Sequence, residues 1–233
     1  MKYVFLHLEK TAGTSLVSYF KGNIQSGKFQ YIHPTELEGL NKDNKLLKLD
    51  FVAGHLNYNQ ILKYFNNYQV ITYLRDPIKR IVSFYNFAKN GPRTKDPITI
   101  KSKELNIEEF IDYCIDVNDR RFINGMVHKL SSENNPKNEL SSAIANLHNI
   151  FFVGIQEYFD DSLILMSEKL NMKKPEIFPK ENITKKTNDD VILNENTIKK
   201  LISINNLDIQ LYAEASKIYN IQKKESQRLT FWL

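Results

Sequence analysis

Six consecutive residues, Lys10, Thr11, Ala12, Gly13, Thr14 and Ser15, stand directly behind a short apolar run and directly ahead of an amphipathic one. Such an arrangement aims an ammonium, three hydroxyls and the backbone N–H groups of a helix start at one point, and an anion is what those groups hold. The order is not that of the Walker loop, G-x-x-x-x-G-K-[ST], which needs a glycine well before the lysine. Here Lys10 comes first and Gly13 follows it. A nucleotide kinase is therefore disfavoured and stays only as an alternative.

A second anion-holding pair stands further on. Arg75 closes the β-branched run Q-V-I-T-Y-L, and Ser83 lies two turns into the helix expected after Asp76 and Pro77. In open α/β sheets, sites gather outside the carboxyl ends of strands, so Arg75 and the Lys10 loop can share one crevice. A guanidinium gives a permanently charged fork that suits a dianionic phosphate, and a serine hydroxyl adds a short neutral donor beside it. Arg75 also occupies the place where a kinase would hold a magnesium-binding carboxylate. Arg80 and Lys79, on the same helix, read as solvated charges.

A hydroxyl acceptor needs a base that titrates near neutrality, a role suited to histidine. Of five histidines, His55, in A-G-H-L-N-Y, follows a buried strand whose carboxyl end faces the same crevice. Asn57 and Tyr58 are crevice candidates because they follow it. His7 sits inside the first strand and reads as a satisfied core or supporting residue; His33, His128 and His148 have no supporting context. Glu9 is the fallback base.

The motif F-L-H-L-E-K-T-A-G-T-S, together with Y-L-R-D-P-I-K-R-I-V-S-F-Y, resembles the sulfotransferases that use 3′-phosphoadenosine 5′-phosphosulfate (PAPS), in particular their glycan O-sulfotransferase branch, which includes the uronyl and heparan 2-O-sulfotransferases. Glu9 departs from the proline that many relatives carry there. N-G-M-V-H-K-L (124–130), F-V-G-I-Q-E-Y-F-D-D-S-L (152–163) and L-D-I-Q-L-Y (207–212) extend the resemblance over most of the chain.

The resemblance implies a P-loop-like three-layer α/β fold and sulfuryl transfer from PAPS to a hydroxyl of a glycan or glycan-like acceptor. It implies that Lys10, Thr11, Ala12, Gly13, Thr14 and Ser15 hold the 5′-phosphosulfate and that Arg75 and Ser83 hold the 3′-phosphate. Lys10 would neutralise the leaving oxygen, and His55 matches the catalytic histidine of the 2-O-sulfotransferases. Lys185 and Lys186 sit where the family closes a basic loop over the 3′-phosphate; a solvated loop accounts for them equally. No metal is demanded. The expected partners are PAPS or its product and a carbohydrate, with no nucleic acid.

The elements that must position these residues are legible as alternating strands and helices, the mark of a mainly parallel, doubly wound sheet flanked by helices. Strands are expected at 3–8, 29–32, 51–54, 69–74 and 150–155. Residues 90–103 read as a polar loop bearing Arg93 and Lys95, and helices are expected at 107–117, 120–130, 139–148 and 157–170. A lysine-rich segment, 171–188, precedes two last helices. Nothing divides the 233 residues, so one domain over 1–233 is expected.

The 42% apolar content argues for a packed core, and the net charge of +5 favours an anionic partner without choosing one, so a non-catalytic polyanion-binding protein is a further alternative. Cys114 is the single cysteine and lies in an apolar helical pattern, which fits a buried thiol and a reducing, cytoplasmic setting. No run of about 18 apolar residues is present to span a membrane. The motif starting almost at Met1 leaves no signal peptide, so a bare catalytic domain is expected.

Overall fold

The structure is a computed structural model that describes residues 1–92, 94–133, 135–176 and 193–230. Strand β1 (Tyr3–Leu6) runs through the Lys10 loop into α1 (Gly13–Asn23). Then come β2 (Phe29–Tyr31), α2 (Leu37–Lys42), β3 (Phe51–Gly54), α3 (Tyr58–Tyr64) and β4 (Gln69–Leu74). Five helices intervene before the last strand: α4 (Pro77–Asn90), α5 (Pro97–Glu104), α6 (Ile107–Asp116), α7 (Gly125–Leu130) and α8 (Glu139–His148). Beyond β5 (Phe152–Ile155) lie α9 (Phe159–Lys169), α10 (Glu195–Ile204) and α11 (Asn206–Thr230).

The sheet order is β2-β3-β1-β4-β5 and every pairing is parallel. Helices cover both faces of such a sheet, so its strands read as continuous apolar runs rather than alternating ones. Val4 to Leu6, Phe51 to Ala53 and Ile71 to Leu74 are accordingly buried. From β1 the chain first builds β2 and β3 on one side, then crosses to β4 and β5 on the other. The order reverses across β1, and the crevice outside its carboxyl end is where a ligand belongs. None of the described helices is long and apolar enough to cross a membrane.

Local chemistry explains where the elements start. Asp76 Oδ1 accepts from the Lys79 N–H at 2.9 Å with Pro77 in the first turn, so α4 begins where capping predicts. The same device recurs at Asp96 and Pro97, where Asp96 accepts from the Thr99 N–H and hydroxyl. Residues 97–104 are therefore helix α5 and not the polar loop expected there. The helix expected from residue 120 begins only at Gly125. Asn124 is left-handed (φ 49°), and its side-chain oxygen accepts from the N–H groups of Leu207 and Asp208.

Arg80 is not a solvated helix charge. It is 2% exposed, its Nη2 lies 3.6 Å from Asp208 Oδ2 in α11, and it donates to the Arg121 carbonyl at 2.9 Å. Asp208 is itself fully buried and caps α7, accepting from Met126 N–H at 3.1 Å and Val127 N–H at 2.8 Å. Burial pushes its carboxyl up against the pull of Arg80 and of those two amides. A β-carbon on Gly125 would come 3.0 Å from Arg80 Nη2, so glycine at that position leaves the arginine its place.

Candidate active site

The loop between β1 and α1 is shaped by two left-handed residues that are not glycine, Lys10 (φ 67°) and Ala12 (φ 66°). Conformations of this kind cost about 1–3 kcal/mol each and cluster at ligand sites. Alternating backbone handedness of this sort turns successive N–H groups toward one concavity, which suits an anion. Gly13 has no room for a side chain, since a β-carbon there would sit 1.8 Å from His7 Nε2. Thr11 is fully buried and its hydroxyl donates to the Leu8 carbonyl at 2.9 Å, so that hydroxyl is spent within the loop. Ser15 is buried, and Thr14 is exposed at the mouth of the loop.

Arg75 lies beside this loop. Its Nη1 donates to the Lys10 carbonyl at 3.1 Å, and its Nε is buried without a hydrogen-bond partner. Among the described residues no ion pair within 4.0 Å involves Arg75, and Glu157 is engaged elsewhere, accepting from Asp76 N–H and the Tyr212 hydroxyl. A cavity of about 320 Å³ opens here, lined by Arg75, Ile78, Lys79, Val82, Ser83, Asn86 and Leu193. The two predicted residues Arg75 and Ser83 thus share one cavity. Lys79, Asn86 and the apolar Ile78, Val82 and Leu193 were not foreseen as part of it.

Ser83 and Phe87 are one turn apart and share a face of α4. Lys10 Nζ lies 3.9 Å from the centroid of the Phe87 ring. Burial, and then the Arg75 guanidinium, pull the Lys10 ammonium down to about 8. A desolvated cation beside a second cation is relieved by an incoming anion. Phe87 could have been found by counting four residues on from Ser83.

The histidines divide sharply. His33 caps a short 3₁₀ turn, accepting from Thr35 N–H. His128 faces Glu139 at 3.4 Å, and His148 faces Glu214 at 3.0 Å. His55 stands at the carboxyl end of β3, and its Nδ1 is 2.8 Å from the His7 carbonyl oxygen. A carbonyl only accepts, so Nδ1 carries the proton and Nε2 of neutral His55 is a bare acceptor. The His7 and His55 rings stack at 4.2 Å. Asn57 and Tyr58 are not free crevice groups: Asn57 caps α3 by accepting from Gln60 N–H, and Tyr58 is buried. Glu9 is half-buried, and its charge acts on Tyr31.

Lys185, Lys186 and Arg93 lie outside the described residues. Lys95 is exposed, while Lys173 and Lys174 are exposed and paired with Glu176 and Glu168, each at 2.7 Å. Among the described residues, no group of three or more His, Cys, Asp or Glu is placed to hold a metal ion.

Known proteins share this arrangement of sequence. Human heparan-sulfate 6-O-sulfotransferase 3 is 24% identical over 191 residues, covering 70% of this chain and 40% of that protein. Mouse heparan-sulfate 6-O-sulfotransferase 2 is 23% identical over 93% of this chain and 44% of its own length. Human heparan-sulfate 6-O-sulfotransferase 1 is 24% identical over 97% of this chain and 67% of its own. The chain thus spans less than half of the first two relatives. Among solved structures, a mouse sulfotransferase, SULT7A1, complexed with PAP overlaps 87% of this chain and 63% of that one at 13% identity, with a TM-score of 0.43. The family model described as the Sulfotransferase family matches residues 1–213, and the chain belongs to that family.

Proposed function

We propose that this chain transfers a sulfuryl group from PAPS to a hydroxyl of a carbohydrate acceptor. The observation that carries the reading is the Arg75–Lys10 contact, which ties the guanidinium of the 320 Å³ cavity to the loop at the end of β1. One crevice then offers positive charge to both ends of a nucleotide bearing a 5′-phosphosulfate and a 3′-phosphate. The residues fit such a donor. The loop already holds its left-handed turns, Arg75 Nε is buried and unpartnered, and apolar Ile78, Val82 and Leu193 line the same cavity.

In this reading the backbone N–H groups of residues 12–15 and the Lys10 ammonium take the 5′ end, while Arg75 and Ser83 take the 3′-phosphate. The donor, when bound, supplies an activated sulfuryl group whose leaving group is a phosphate. Lys10 can follow charge as it builds on the leaving oxygen, since its ammonium sits on a long stem against the Phe87 ring face. His55 Nε2 takes the proton of the acceptor hydroxyl. No metal is assigned a role.

The relatives are named for 6-O-sulfation of heparan sulfate, which makes heparan-type oligosaccharides the first acceptors to try. One domain over residues 1–233 belongs to the same proposal, supported by α11, which packs on α4, α7, α8 and β5 alike. So does a reducing, cytoplasmic setting, supported by Cys114 being the single cysteine of the chain and buried.

Calorimetry with 3′-phosphoadenosine 5′-phosphate should give a dissociation constant in the micromolar range, about −8 kcal/mol. Arg75→Ala should weaken that affinity by about 1.5–3 kcal/mol, the worth of a hydrogen bond to a charged group. It should leave the weaker binding of ADP, which lacks the 3′-phosphate, nearly unchanged. Transfer from labelled PAPS to a heparan-type oligosaccharide tests the reaction. Tight ATP binding that the 3′-phosphate nucleotide does not displace would reject the assignment in favour of a kinase.

A further inference from the structure

The base proposed above does not stand alone, and the sheet register explains what stands next to it. Strand side chains repeat with period two, so Phe5 and His7 share one face of β1. Parallel pairing sets Leu6 against Gly54, which carries His7 on to lie beside His55 at the next position. His7 N–H donates to the Gly54 carbonyl at 3.0 Å, continuing the ladder one step past the end of both strands. Three rings then stack in a row: Phe5 on His7 at 5.4 Å with planes 13° apart, and His7 on His55 at 4.2 Å with planes 28° apart.

His7 is fixed on every side. It is 9% exposed, its Nδ1 meets the Tyr31 hydroxyl of β2 at 3.1 Å, and its Nε2 abuts Gly13 of the phosphate loop so closely that no β-carbon fits between them. Tyr31 stands edge-on to both histidine rings, 6.1 Å from each. The charged and titratable groups facing the pair are Lys10 from the loop after β1, Tyr31 from β2, and Lys129 of α7, whose Nζ lies 3.4 Å from the His55 carbonyl; Glu9 acts on Tyr31. Burial, then His55 and Lys10, hold the His7 imidazole down to about 3, so it stays neutral and does not compete for the acceptor proton.

We infer that His7 is a positioning residue for His55: its carbonyl selects which nitrogen of His55 is bare, its ring sets the plane of the His55 ring, and Gly13 and Tyr31 lock that ring in place. The inference rests on the functional reading that makes His55 the base. It also gives one side chain two tasks, because the ring that orients the base is the ring that packs against the donor loop. The spacing between proton acceptor and sulfuryl donor is then fixed through a single rigid contact. Misplacement by about 1 Å can cost about 100-fold in rate, which is the scale on which such a contact matters.

The test combines kinetics with ¹⁵N NMR of the histidine side chains in the full chain. Wild-type His55 should show a protonated Nδ1 and a bare Nε2. His7→Ala keeps the backbone carbonyl and so the His55 tautomer, but removes the ring that sets its plane. Its kcat should fall by about 10–100-fold, affinity for 3′-phosphoadenosine 5′-phosphate should fall far less, and the His55 nitrogen signals should shift and broaden. His7→Phe, which restores a flat ring against His55, should regain much of the lost kcat. Wild-type kcat with an unaltered His55 spectrum in His7→Ala would overturn the inference.

If His7→Ala does not fold, Tyr31→Phe removes only the hydroxyl that anchors the His7 ring. That variant should lower kcat and perturb the same nitrogen signals, and unchanged values of both would be equally damaging. Should His55→Ala retain full transfer, the assignment of His55 as base fails and the inference with it, whereas an inactive His55→Ala beside an unaffected His7→Ala sinks only the inference.

Discussion

Replacing His55 with alanine is expected to lower kcat by about 10²–10⁴-fold, the usual contribution of a positioned general base. Affinity for 3′-phosphoadenosine 5′-phosphate should stay at the wild-type value. The separation of effects follows from the fold. His55 lies at the end of β3, on the opposite side of β1 from the strand that leads to Arg75, and the cavity proposed for the 3′-phosphate is lined mainly by α4. Removing the imidazole deletes an acceptor for the proton and leaves the anion-holding groups untouched. Single-turnover transfer from labelled PAPS, run beside calorimetry, checks both halves. A parallel loss of nucleotide affinity would recast His55 as a structural support for the loop.

Lys10→Ala should cost about 10²–10³-fold in kcat, the size of the loss when one charge-stabilising donor is removed from a reacting oxygen. A more specific signature comes from pH. The ammonium is held down to about 8, by burial first and by Arg75 second, and only the charged form can neutralise the leaving oxygen. As pH rises through about 8 the free enzyme loses that charge, so kcat/KM should fall on the alkaline side. An anion bound beside Lys10 favours the charged form and raises its pKa, so the alkaline limb of kcat itself should lie higher. Lys10→Arg keeps a permanent charge and should abolish the alkaline limb, even at reduced activity. A limb near 8 that persists in Lys10→Arg would assign the titration to another group.

Much of this site was readable from short-range chemistry. The strand at Gln69–Leu74 and the cap at Asp76 depend on neighbours along the chain, and both stand where residue types place them. The positions of the Lys10 loop and of His55 at strand ends follow from the alternation of strands and helices, while the roles expected of them rested on the family resemblance as well. What sequence reading missed depended on partners far along the chain. Arg80 looks like any helix arginine until Asp208 of α11 is seen against it. His7 looks like a core residue until the β1–β3 register sets it beside His55. The left-handed backbone at Lys10 and Ala12 has no residue-type signal at all, because the loop's surroundings impose it on residues that disfavour it. Helix α5 was within reach, since Asp96-Pro97 repeats the signal read correctly at Asp76-Pro77.

The clasp between α7 and α11 carries a consequence for how the polypeptide leaves the ribosome. Asn124 makes no side-chain cap for its own helix, and among the described residues the N–H groups of Met126 and Val127 are met by a carboxylate 82 and 81 residues further along. Until that later segment has emerged, the first turn of α7 has no protein acceptor for these amides and must rely on solvent. Lys129, which reaches the carbonyl of His55, follows directly on that turn in α7. The start of α7 is therefore finished only once translation has delivered the C-terminal helix, and a nascent chain released early would carry the Lys10 loop with that helix start still unclasped.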